Sequence, residues 1–84
     1  MQKDRPYKLT ALVFNEAGQI ESNCNGLLFI NQGTSAATLN QVIDLPAGAA
    51  IAIEGQQNEI DRSSYSVSFG AGVNKLVVLI KRYI

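Results

Sequence analysis

The chain has 84 residues, 46% of them hydrophobic, with seven Lys+Arg balanced by seven Asp+Glu, no His, no Trp and one Cys. That length holds one small domain, residues 1–84, which buries only roughly 63% of the surface its unfolded chain exposes. Without His the commonest general base and metal ligand is missing, and one Cys supplies neither an intrachain disulfide nor a thiolate zinc site, so a non-enzymatic protein without cofactor is expected.

Period-two patterning runs through the chain, and no segment carries a helical stripe. Tyr7–Phe14 alternates at first and then turns apolar on both faces, and Asn15-Glu16-Ala17-Gly18 reads as a turn. The stretch from Gln19 to Gly26 is mostly polar, with Ser22-Asn23-Cys24-Asn25-Gly26 as a loop that would leave the Cys24 thiol exposed. Leu27-Leu28-Phe29-Ile30-Asn31 is apolar on both faces, as in a central or interface strand. After the turn Gln32-Gly33-Thr34-Ser35, residues Ala36 to Leu45 form one extended segment, with Ala37, Leu39, Ile43 and Leu45 on one face and Thr38, Asn40 and Asp44 on the other. Pro46-Ala47-Gly48 is a turn, because Pro presets φ and Gly takes the left-handed conformation.

Ala49–Glu54 follows as a strand burying Ile51 and Ile53; the flanking Pro46, Gly48 and Gly55 outweigh the helical propensity of its alanines. Gly55–Arg62 is a polar connection with room for one helical turn. Ser64–Gly70 gives the cleanest alternation, with Tyr65, Val67 and Phe69 against Ser64, Ser66 and Ser68. Ala71-Gly72-Val73-Asn74 then leads into Lys75–Tyr83, where Leu76, Val78 and Ile80 oppose Val77, Leu79 and Tyr83. About six short strands separated by regular turn signals predict an all-β fold, a small antiparallel sandwich or barrel of jelly-roll or immunoglobulin-like type.

Groups able to do chemistry are few. The serines at 63, 64, 66 and 68 have no base to activate them and read as a solvated strand face. Glu59 and Asp61 could pair for acid/base work, but two carboxylates on a short connection read as loop charges or a cap. With Asn58 they supply only a fragment of a Ca²⁺ loop. Gly70-Ala71-Gly72 resembles a phosphate-binding loop only in its glycines, since a strand follows it where such loops lead into a helix.

Charge is segregated behind the zero total. Residues 1–8 carry +2, residues 9–61 carry −6 with no base among them, and residues 62–84 carry +4. If the first and last strands pair, the domain has a basic and an acidic side, suited to meeting another copy or a larger partner. Four bases near the C-terminus and no Trp fall short of a nucleic-acid footprint, so no nucleic acid is expected as partner. No apolar run approaches the roughly 18–20 residues that span a bilayer, and no apolar h-region follows the charged start, so a soluble chain made in the cytoplasm is expected. The last strand is dry on both faces, which places Val77, Leu79, Lys81, Arg82 and Tyr83 at a suspected interface between subunits. The alternative is that the N-terminal segment of the same chain covers Val77 and Leu79.

Several successions resemble a family. Phe29-Ile30-Asn31-Gln32-Gly33-Thr34, Ala37-Thr38-Leu39-Asn40, Leu45-Pro46-Ala47-Gly48, Asn58-Glu59-Ile60-Asp61, Tyr65-Ser66-Val67-Ser68-Phe69 and Asn74–Tyr83 follow one another as in small structural proteins of bacteriophages of Bacteroidetes-type hosts. The resemblance covers residues 27–84 and lies in β-turn punctuation more than in chemistry. It implies a virion protein (minor capsid, decoration, spike-base or fibre-associated) that homo-oligomerises or docks on a larger capsid component, with no catalytic residue to carry over. A cell-surface or secreted β-sandwich module binding carbohydrate or protein is the competing expectation, weakened by the absence of Trp and of a leader.

Overall fold

The computed structural model describes residues 6–56 and 59–84. Lys3, Arg5 and Asn58, which entered the charge and Ca²⁺ readings, lie outside them. The described residues form eight strands: β1 (Tyr7–Phe14), β2 (Gly18–Glu21), β3 (Gly26–Asn31), β4 (Ala37–Leu39), β5 (Ile43–Leu45), β6 (Ala50–Glu54), β7 (Ser64–Phe69) and β8 (Leu76–Tyr83). They make two antiparallel four-stranded sheets, β1-β8-β3-β6 (sheet I) and β2-β7-β4-β5 (sheet II), so the all-β sandwich expected from the sequence is the fold.

Eight strands stand where about six were expected. The polar stretch after Gly18 contains β2, which pairs with β7 in the register Ile20↔Tyr65 and buries only Ile20. A single inward side chain leaves almost no alternation to read. The extended segment 36–45 is a hairpin, because Asn40 and Gln41 take φ of 52° and 64° and turn the chain back on itself. The face assignment survives the fold-back: Ala37 pairs with Leu45 and Leu39 with Ile43, all on the inner side.

The core lies between the sheets. Sheet I contributes Leu27, Phe29, Leu76, Val78 and Ile80, and sheet II contributes Ile20, Ala37, Leu39, Leu45, Tyr65 and Val67. Phe29 meets Tyr65 across the gap with ring centroids 5.7 Å apart at 58°, a tilted arrangement that aromatic pairs favour. Cys24 is fully buried beside this cluster, correcting the exposed thiol expected from its polar neighbours. A backbone bridge to Asp61 draws it in, with N–O distances of 3.1 and 2.7 Å. Burial pushes its thiol pKa up, so it behaves as a small apolar side chain.

Six of the seven connections cross from one sheet to the other; only β4–β5 is a hairpin within a sheet. The loops at each end of the sandwich therefore bring backbone amides and carbonyls against the core, and polar side chains must satisfy them. Asn31 donates to the carbonyls of Ser35 and Leu45, both at 2.9 Å, and accepts from the Gly33 amide at 3.0 Å. Asn25 donates to the carbonyls of Gln56 and Glu59 at 2.8 and 2.9 Å. Gly33 is fixed by space: a Cβ there would sit 2.2 Å from the Val73 carbonyl oxygen.

Val67→Asp places an unpaired charge between the sheets, a change of several kcal/mol against the roughly 5–10 kcal/mol available to a domain this size. The variant is expected to lose its cooperative thermal transition by circular dichroism; a soluble, cooperatively melting Val67→Asp protein means that the faces of β7 are inverted.

Candidate functional site

The two outer faces of the sandwich differ. Side chains of sheet II that point away from the core are Gln19 and Glu21 on β2, Ser64, Ser66 and Ser68 on β7, Thr38 on β4 and Asp44 on β5, polar without exception. Ser64 Oγ donates to Glu21 Oε2 at 2.8 Å and the Ser66 amide donates to Asn40 Oδ1 at 2.9 Å. The serine cluster is thus the ordinary wet face of an antiparallel sheet.

Sheet I is reversed in character. Strand register sets its outer face in rows across β1, β8, β3 and β6: Val13, Val77, Ile30, Ala50; then Ala11, Leu79, Leu28, Ala52; then Leu9, Lys81, Gly26, Glu54; with Tyr7 beside Tyr83 at the end. The first two rows hold no polar side chain. Leu9 and Val13 are 58% and 54% exposed, and the four central residues of the first two rows are half-buried. The described part of the N-terminal segment does not lie over Val77 and Leu79. It pairs alongside them as β1 and extends the apolar face by another strand.

Four of the five residues placed at a suspected interface, Val77, Leu79, Lys81 and Tyr83, share this face, and Arg82 does not. Arg82 turns toward sheet II, where its guanidinium donates to the carbonyls of Glu21 and Ser22 at 3.1–3.3 Å and ties the sheets together. Sequence reasoning from β8 alone missed the contributions of β1, β3 and β6 to the face. Their signal was present in Leu27–Ile30, apolar on both sides like β8, but only the register joins the two strands.

The charged row gives the face its relief. Gly26 has no side chain, and a depression of about 320 Å³ opens there, lined by Leu9, Leu28, Leu79, Ala52, Lys81 and Glu54 among others. The ammonium nitrogen of Lys81 lies 4.6 Å from the centre of the Tyr7 ring, a cation–π contact. Glu54 is exposed and has no ion-pair partner among the described residues.

Elsewhere the groups considered for chemistry are structural. Asp61 is a latch more than a solvated loop charge. Tyr65 Oη donates to Asp61 Oδ2 at 2.5 Å, the Ser63 amide donates to Oδ1 at 2.7 Å, and Ser22 Oγ lies 2.7 and 2.6 Å from the carbonyl oxygens of Asp61 and Ser63. The Tyr65 hydroxyl, then the Ser63 amide, hold the Asp61 carboxyl below its ordinary 3.8. Burial, then Asp61, push the Tyr65 phenol up to about 12. Glu59 turns back on its own loop, its carboxylate accepting from the Gln56 amide at 2.5 Å. Gly70-Ala71-Gly72 leads into a loop that packs on Thr34 and Ser35. Among the described residues no group of three or more His, Cys, Asp and Glu is placed to hold a metal ion.

No family model, curated protein or solved structure matches this chain.

The latch predicts a pH dependence. With the folded Asp61 pKa below its unfolded value, its stabilisation is complete above about 3.8 and is lost as the pH falls through the folded value. For Tyr65 the sign is opposite: the contribution is complete below 10 and is lost as the pH rises toward 12. Tyr65→Phe should return Asp61 toward 3.8 in a carboxyl NMR titration and move acid unfolding to higher pH. An unchanged Asp61 titration would assign its depression to Ser63 and Ser22.

The two sides of β8 should also respond differently to the same chemistry. Val78→Ser with Ile80→Ser removes two buried side chains, each worth about 1.5–3 kcal/mol, and should unfold the chain. Val77→Ser with Leu79→Ser should keep the β spectrum and the cooperative melt while reducing binding of a hydrophobic dye. Equal destabilisation by the two pairs contradicts an uncovered outer face.

Proposed function

We propose that this protein is a non-enzymatic structural component of a phage virion, which acts by assembly through the outer face of sheet I, with a second copy or a larger virion protein as the occupant. The observation that carries the reading is the contrast between the two outer faces. The chain builds a wet face on sheet II with serine, threonine and acidic side chains, so its apolar counterpart on sheet I is specific to that sheet. A contiguous apolar face of a few hundred Å² is often a functional surface. The likeness of residues 27–84 to phage structural proteins supports a virion as the setting. Repetition on a symmetric shell lets each copy work with a modest contact, since avidity multiplies it.

The test is made on particles banded in a density gradient from a culture whose phage genome encodes the chain. The protein should co-sediment with the particles in stoichiometric amount, detected by mass spectrometry, and Leu28→Glu should abolish its incorporation while leaving the purified protein folded. Recovery only from the soluble fraction of the lysate overturns the virion reading.

A further inference from the structure

We infer that the outer face of sheet I is occupied by the same face of a second copy, related by a two-fold axis that runs along the strands between β8 and β3. The inference rests on the reading of this face as an assembly surface and names its occupant.

The face is small. Four strands about 4.8 Å apart, running for about 20 Å, cover roughly 400 Å² in projection. Two such faces in contact remove on the order of 1,000 Å² of accessible surface, about the least that a specific interface requires. The face therefore suffices only if it is covered whole, by a surface of its own width and twist, and a second copy presents such a surface. Sheet-on-sheet packing within about 30° of alignment is an ordinary arrangement of two twisted sheets.

Charge and relief then select the axis. A two-fold axis along the strands lays β8 of one copy over β3 of the other. Leu79 then meets the partner's Leu28 at the centre, and Lys81 stands over the partner's Gly26, where the depression is. The Lys81 stem fills that space and its ammonium comes beside the partner's Glu54, the neighbour of Gly26 in the same row. Symmetry repeats the contact, giving two ion pairs between groups that lack an ionic partner among the described residues of one chain. An axis across the strands would instead press Lys81 and Glu54 against the apolar row of Val77 and Ile30, leaving desolvated charges without counter-charges.

Sedimentation equilibrium on the wild type, on Lys81→Glu, on Glu54→Lys and on an equimolar mixture of the two variants tests the arrangement. Wild type should dimerise, and each variant alone should have a dimer dissociation constant higher by at least about tenfold, since both pairs become repulsive. In the mixture, the acid introduced at position 81 of one variant faces the base introduced at position 54 of the other. The unaltered Lys81 and Glu54 face each other as in the wild type, so a 1:1 heterodimer should form with wild-type affinity. An ion pair within one chain cannot produce that rescue. Far-UV circular dichroism of each variant confirms that the fold is kept. A monomeric wild type at 200 µM, or variants that dimerise like wild type, or a mixture without rescue, overturns the inference. A monomer that still enters particles leaves the assembly reading standing with a different occupant, whereas absence from the particles removes the virion reading without touching the dimer.

Discussion

The sandwich depends on two buried carboxamides, Asn25 and Asn31, at the two ends of β3. Six of seven connections change sheets, so loops gather at both ends of the sandwich. Asn31 gathers the carbonyls of Ser35 and Leu45, and Asn25 those of Gln56 and Glu59. A buried carbonyl left without a donor costs about 1–3 kcal/mol, and Asn31 serves two, while the two bonds of Asn25 are partly buried. Among the described residues no buried side-chain polar atom is without a partner. In so thin a core that completeness matters as much as the apolar contacts, because the whole domain has little stability to lose.

The legible parts of the sequence were those where period two persists over several residues. In β7 the alternation of Tyr65, Val67 and Phe69 with serines fixes both faces, and in β8 the same pattern separates Val78 from Val77. What stayed illegible depends on partners far along the chain. β2 is a strand because Gln19 and Ile20 lie beside Ser66 and Tyr65, more than forty residues later. Cys24 is buried because Asp61 bridges to it, and nothing in Asn23-Cys24-Asn25 signals that bridge. The turn at Asn40-Gln41 was hidden for a local reason: Gln41 takes a left-handed φ that Gln seldom adopts, so composition did not mark the reversal.

The candidate surface was half legible for the same reason. Val77, Leu79, Lys81 and Tyr83 could be grouped from one strand's alternation, and Arg82 was included with them by adjacency although it has the opposite parity. The other strands of the face needed the register β1-β8-β3-β6, a matter of topology. The segregation of charge along the chain likewise acquires a spatial meaning only through that order. In one row β8 carries Lys81 and β6 carries Glu54, with strand β3 between them at Gly26.

The order of sheet I also bears on how the protein is made. β8 lies between β1 and β3, yet it is the last of the eight strands to leave the ribosome. At about 5–20 residues per second, β1 waits roughly 3–12 s for the strand it pairs with. Until then β1 has no strand to pair with, and sheet I holds only the β3–β6 pair. A polypeptide cut short by a nonsense codon or stalled translation before Leu76 lacks the strand that joins the two halves of the sheet. Such a fragment loses the outer face along with the fold, because the missing strand lies at the centre of both.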